Sequence, residues 1–245
     1  MILHSYMKAI VKKELGLYFS GLIGYFTIGI FLLVSGFFLF IMPDTNILDA
    51  GYASMDSFFE FAPYIMLFLI PAITMKSFSD EYRNGTFELL SVLPIKKIDL
   101  VLAKYFSALL VASIAVLSTV LYLIPIYKLS TGGIDSGGIL GSYIGLFLLC
   151  GIFTAIGVYA SSFQSNAVVS FLLSAILCYV FYAFFSSIAS VPLLKSGLGY
   201  YISLLGIRTH YENISKGYVD SRDLVYFLSV VSLFIFLTTQ KIKSH

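Results

Sequence analysis

Few residues of this chain are of types that do chemistry, and most of those lie outside its long apolar stretches. The histidines His4, His210 and His245 are all outside them, whereas Cys150 and Cys178 each lie inside one. Two isolated cysteines without neighbouring ligands predict small core residues and no disulfide or metal site. No Ser–His or paired-Asp arrangement lies in an apolar stretch, so the side chains for hydrolysis within a bilayer are missing. We therefore predict that the chain is not an enzyme and holds no metal.

Charged residues are concentrated instead in the segment 76–104. Asn84-Gly85 permits a turn, Thr86 can cap a short helix, and Glu88 falls in its first turn, where the helix dipole favours an anion. The apolar face and the end of this helix are predicted from four residues: Leu89, Leu90, Leu93 and Pro94. A charged helix with an apolar face suits the docking of a protein partner.

Residues 6–19 form a second segment with a helical pattern. Lys8, Lys12 and Lys13 fall on one helical face, and the opposite face is apolar: Met7, Ile10, Val11, Leu15 and Tyr18. This pattern predicts an amphipathic helix on the membrane surface, with its lysines near anionic lipid headgroups.

These segments must be positioned by six apolar stretches whose interiors contain no Asp, Glu, Lys, Arg or His. About 20 apolar residues in a helix cross a hydrocarbon core about 30 Å thick. The predicted spans are approximately 22–42, 58–76, 104–125, 138–160, 167–189 and 223–240. Hydrophobic residues make up 59% of the chain and charged residues 11%. The sequence therefore predicts an all-α membrane protein, with residues 1–245 forming a single transmembrane domain.

The distribution of lysine and arginine predicts the orientation of the chain. Ten of the 15 lie in the segments 1–21, 76–104, 161–166 and 240–245, and five lie in the segments on the opposite side. Basic residues favour the cytoplasmic side of a membrane, so both termini are predicted to be cytoplasmic.

Small residues in the fourth span predict a helix-packing seam: Gly141, Gly145, Gly151, Ala155 and Gly157.

The sequence lacks the groups that would power transport by this chain alone. No ionisable side chain lies at the depth of the bilayer, where carriers coupled to ion gradients normally use them. Nothing matches the phosphate-binding pattern Gly-x-x-x-x-Gly-Lys-Ser/Thr. Any work that the chain does is therefore expected to be powered by another subunit.

The charged segment between the second and third spans resembles the signature of ABC type-2 exporter permeases. The matching residues are Glu81, Arg83, Gly85, Thr86, Glu88, Leu89, Leu90, Pro94 and Lys104. In that family this segment contacts the ATPase. The resemblance implies a permease of the bacterial inner membrane whose partners are an ABC ATP-binding subunit and a second permease, either identical or related. It also implies no cofactor on this chain, because the partner subunit binds ATP. Membrane lipids are expected to surround the spans, and no nucleic acid is expected to bind.

The outer segment between the fifth and sixth spans refines the resemblance. Its apolar middle, around Tyr200 and Tyr201, matches the family's short outer helices, and residues 210–227 resemble the permease of gliding-motility ABC systems (the GldF type). The residues expected in the outer loop or gate are Tyr200, Tyr201, His210, Glu212 and Gly217. Whether residues of this segment contact cargo or only cap helices stays open.

Two functions of other classes remain as alternatives. The first is a membrane scaffold that anchors a motility or secretion apparatus without transporting anything. The second is a secondary carrier or membrane enzyme, which the missing polar residues at bilayer depth disfavour.

Overall fold

The computed structural model describes residues 2–42, 47, 54–92, 95–129, 135–191, 197–217 and 220–243. All regular elements in these ranges are helical. The elements of the first half are α1 (Ile2–Ser20), α2 (Leu22–Phe40), α3 (Asp56–Thr74), α4 (Ser79–Arg83), α5 (Thr86–Val92), α6 (Lys97–Ser118), a 3₁₀ turn (Thr119–Tyr122) and α7 (Leu123–Leu129). The elements of the second half are α8 (Ser136–Ser161), α9 (Ala167–Tyr179), a π-helical turn (Val180–Phe184), α10 (Phe185–Ala189), α11 (Leu198–Ser203), α12 (Ile207–Ser215) and α13 (Ser221–Lys243).

Five helices of the described chain are long and apolar enough to cross a membrane, and the bent pair α1–α2 supplies a sixth candidate. The two axes of this pair differ by 63°, and the break falls at Gly21, between the two helices. The predicted all-α membrane fold is confirmed. The short helices α4 and α5 lie between the second and third spans, and α11 and α12 between the fifth and sixth.

The fourth span, α8, lies at the centre of the bundle and packs against α3, α6, α9, α12 and α13. Its glycines allow this close packing. A Cβ atom added at Gly145 would lie 3.3 Å from the Tyr211 ring of α12, and one added at Gly157 would lie 2.8 Å from Thr74 Cβ of α3. Neighbouring helices therefore approach α8 at different heights, which small residues permit in a membrane.

The two ends of the bundle carry different short helices. We call the end with α4 and α5 the hairpin end, and the opposite end the α12 end. The third helix, α3, begins at the α12 end, where the Tyr211 hydroxyl donates a hydrogen bond to the carbonyl of Phe59 (2.7 Å). It finishes at the hairpin end, where the Tyr18 hydroxyl of α1 donates to the carbonyl of Ile73 (2.9 Å).

Candidate coupling surface and transport cavities

A buried group of charges holds three helices together at the hairpin end. Lys104 Nζ donates hydrogen bonds to Glu14 Oε1 (2.9 Å), to Glu81 Oε1 (2.8 Å) and to the carbonyl of Ser77. The Lys104 residue is only 2% exposed, while the more exposed Lys13 lies 3.8 Å from Glu81 Oε1. We call Glu14, Glu81 and Lys104 the ion group; it joins α1, α4 and α6.

Sequence reasoning singled out Glu81 and Lys104 but missed Glu14. The signal was present, because Glu14 lies four residues from both Ile10 and Tyr18 and therefore on the apolar face of α1. A carboxylate on an apolar face is expected to have a buried partner. Its cationic partner, Lys104, is 90 residues away in sequence, and helical periodicity gives no information about such a distant contact.

The short helix α5 is anchored by Phe87. This side chain is 7% exposed and belongs to a second apolar cluster, separate from the main core: Phe78, Phe87, Leu100, Val101, Val158 and Ile242. Its ring lies 4.7 Å, centroid to centroid, from that of Tyr82. Nearby, Lys97 Nζ donates to the carbonyl of Ile242 at 2.8 Å. The ends of α6, α8 and α13 thus form the base on which α5 rests.

The apolar side chains of α5 differ in their burial. Leu89 is 72% exposed and Leu90 is half-buried, whereas the buried anchor is Phe87. Leu93 and Pro94 lie outside the described residues. The exposed Leu89 stays available to a protein partner, whereas Phe87 packs on a cluster that comes from distant helices.

Most of the predicted coupling residues form an exposed surface beside the ion group. We call this set the hairpin surface: Arg83, Gly85, Thr86, Glu88 and Leu89, all exposed. Gly85 has a φ of +68°, a left-handed conformation that glycine adopts readily, and it makes the turn between α4 and α5. The Thr86 hydroxyl donates to the carbonyl of Glu81 (3.4 Å), which links the surface to the ion group.

The lysines of α1 lie where the amphipathic pattern predicts. Lys8, Lys12 and Lys13 are exposed, and the residues of the opposite face are half-buried. Lys13 also lines a cavity of about 300 Å³, which we call the hairpin cavity. Lys76 and the ion group line this cavity as well.

The predicted outer residues lie at the α12 end but do not form one site. Tyr200 and Tyr201 of α11 are 65% and 68% exposed. His210 is buried, and its ring nitrogens lie 2.5 Å from Asp223 Oδ1 and 2.9 Å from the carbonyl oxygen of Leu204. His210 therefore links α12 to α13 and to the end of α11 through these two contacts.

Glu212 and Gly217 have separate local roles. Glu212 Oε1 accepts a hydrogen bond from Arg208 Nε (2.6 Å), and this bond raises the pKa of the guanidinium. Gly217, with a φ of +85°, follows the end of α12. At the start of α13, the backbone N–H of Arg222 donates to Asp220 and lowers the pKa of this exposed carboxyl.

An apolar groove of about 670 Å³ lies between the first, second and fifth spans. Its walls are mostly aromatic and aliphatic, and include Phe26, Phe31, Tyr64, Phe68 and Phe171. The groove and the hairpin cavity adjoin, because Ala72 lines both.

A polar cavity of about 560 Å³, the α12 cavity, lies at the other end of α3. Carboxylates, cations and aromatic rings line it, among them Asp56, Glu60, Tyr182, Arg208, Tyr211 and Glu212.

Within the described ranges, no group of three or more His, Cys, Asp or Glu side chains is placed to hold a metal ion. Both cysteines are buried and unpaired.

The family model described as "ABC-2 family transporter protein" matches residues 7–240 of the chain. No curated protein matches the chain.

Proposed function

Since the chain belongs to the ABC-2 transporter family, we propose that it is the permease of an exporter whose ATPase binds at the hairpin surface. Family membership makes the chain a multi-pass membrane permease component of an ABC transporter, and implies an ABC ATP-binding subunit as its partner. The observation that carries the proposal is the ion group, which joins the helix beneath the hairpin surface to α1 and α6.

In this mechanism, movement of the ATPase displaces α4 and α5, and the ion group transmits the displacement to α1. A buried lysine held by two carboxylates is suited to this, because breaking one contact leaves a charge uncompensated away from water. α1 continues into α2 through the 63° bend, and α2 forms one wall of the apolar groove. Movement of α1 therefore changes the packing of the first, second and fifth spans around the groove, which we propose as part of the transport path.

We also propose the cellular system, the membrane and the orientation of the chain. Residues 210–227 support a gliding-motility system, and the lysine and arginine distribution supports an inner-membrane protein with both termini in the cytoplasm. Six spans are half of the usual twelve of the family, so a second copy or a related permease completes the transporter. Disruption of the gene should abolish spreading of the host cells on agar, and normal spreading would contradict the gliding role.

The coupling role is tested with an Arg83→Ala, Glu88→Ala double variant in complex with the ATPase. Spin labels at Ile30→Cys and Leu172→Cys, on α2 and α9, report the distance across the groove. In the spin-labelled protein with an unmodified hairpin surface, addition of ATP should change the distance between the labels. In the double variant, addition of ATP should leave this distance unchanged, although the protein still inserts into membranes.

A matched control changes an exposed pair of opposite charge at the α12 end, Asp220→Asn with Arg222→Ala. This variant should keep the full ATP-dependent distance change. An unchanged response in the hairpin variant would contradict coupling through this surface. Failure of the unmodified chain to co-purify with any ATP-binding protein would instead favour the membrane-scaffold alternative.

A further inference from the structure

We propose that the α12 cavity binds the ammonium group of an organic cation. Its volume of about 560 Å³ falls within the range of roughly 300–1,000 Å³ found for small-molecule sites. Four carboxylates and two cations line it: Asp56, Glu60, Asp135, Glu212, Arg208 and Lys216. The cavity therefore carries an excess of negative charge.

Two of these carboxylates are available to a ligand. Asp135 accepts hydrogen bonds from backbone N–H groups at the start of α8, and Glu212 is paired with Arg208. By contrast, Asp56 and Glu60 take part in none of the ion pairs formed among the described residues. They lie one turn apart on α3, so both can face the same ligand.

The hydroxyl of a mostly buried tyrosine provides a second, independent indication of a ligand. Tyr182 is 2% exposed and lines the cavity, and its hydroxyl makes no hydrogen bond within the described part of the chain. The hydroxyl is open to the cavity, so it can accept a hydrogen bond from a group bound there. Tyr182 belongs to the π-helical turn of the fifth span, and such turns are frequent at functional sites. A bound ligand would supply the missing partner.

The aromatic lining favours an organic cation over a metal ion. Tyr182 and Tyr211 both line the cavity, and their ring centroids are 6.5 Å apart. Phe59 lines the same cavity. Aromatic faces beside carboxylates attract ammonium groups through cation–π and charge interactions. A metal ion would need a third nearby ligand, which the described residues do not provide.

Equilibrium binding of radiolabelled spermidine to the full-length chain tests the proposal. The chain is placed in phosphatidylcholine nanodiscs without the ATPase, so the result is independent of the coupling role proposed above. We expect saturable binding that weakens about tenfold in Glu60→Gln and in Asp56→Asn, since each removes a charged contact. Tyr182→Phe should also weaken binding about tenfold, because it removes an oxygen that accepts a hydrogen bond from the charged ammonium group.

Asp220→Asn serves as the matched control, because Asp220 is exposed at the same end of the bundle but does not line the cavity. This variant should bind spermidine like the unmodified chain. Spermidine should also raise the melting temperature of the unmodified chain and of Asp220→Asn, and that of Glu60→Gln by less at the same concentration. Absence of saturable binding, or full binding by a combined Asp56→Asn, Glu60→Gln variant, would overturn the proposal.

Discussion

Lys104 is the residue whose replacement should most disturb the hairpin end. In Lys104→Met, Glu14 and Glu81 remain buried without their cation. Removal of one partner from a buried ion pair typically costs about 3–5 kcal/mol, so we expect a large fall in melting temperature for the purified protein. Calorimetry or a thiol-independent thermal-shift assay measures the change.

A triple variant separates charge imbalance from lost packing. When Glu14→Gln and Glu81→Gln accompany Lys104→Met, no buried charge of the ion group remains, and stability should largely return because Lys13 is exposed to water. If the triple variant were less stable than Lys104→Met alone, the buried charges would not be the cause of the loss.

Replacement of Gly157 by a larger residue should also lower the stability of the protein. A Cβ atom there would lie 2.8 Å from Thr74 Cβ. Because threonine is β-branched and has few allowed rotamers, the Thr74 side chain cannot easily rotate away from the added atom. Gly157→Ala should therefore destabilise the bundle by about 1–3 kcal/mol, as overpacking does. Gly29→Ala on α2 is the control, because nothing lies within 4 Å of its added Cβ. Equal melting temperatures for the two variants would contradict the close approach of α3 and α8.

At the scale of elements, the sequence predicted those features that depend on local pattern. The apolar stretches predicted the long helices because each stretch is decided by composition along one segment. Contacts between distant segments were not predictable in this way. The pairing of Glu14 with Lys104 and of His210 with Asp223 depends on how the helices are arranged, and no periodicity encodes that arrangement.

The helix α5 gives a prediction at this scale. Phe87→Ala removes its buried anchor, so we expect backbone amides of residues 86–92 to exchange hydrogen much faster, while α3 and α6 stay protected. Leu89→Ala, which changes an exposed side chain of the same helix, should leave exchange unaltered. Hydrogen-exchange mass spectrometry distinguishes the two. Unchanged protection in Phe87→Ala would mean that other contacts hold α5.

At the scale of the whole molecule, three cavities follow α3 from one end of the bundle to the other. The α12 cavity contacts its first two turns through Asp56 and Glu60, and the apolar groove extends along it to Ala72. The hairpin cavity continues to Lys76, just beyond the end of α3. From its start to its end, α3, the second span, therefore borders a polar cavity, an apolar groove and a cavity with charged walls. A small tilt of α3 against α2 would alter all three together, so the coupling proposed above would extend from the hairpin surface to the α12 end.

The orientation of this arrangement in the membrane can be tested with single introduced cysteines. Lys12 is an exposed residue of α1, and Lys128 is an exposed residue of α7 at the opposite end of the bundle. The native Cys150 and Cys178 are fully buried, so they should contribute little background labelling. A membrane-impermeant maleimide added to intact spheroplasts should label Lys128→Cys at once and Lys12→Cys only after lysis, because basic segments favour the cytoplasm. Labelling of Lys12→Cys without lysis would place the hairpin surface outside the cell, where no ATP-driven partner could reach it.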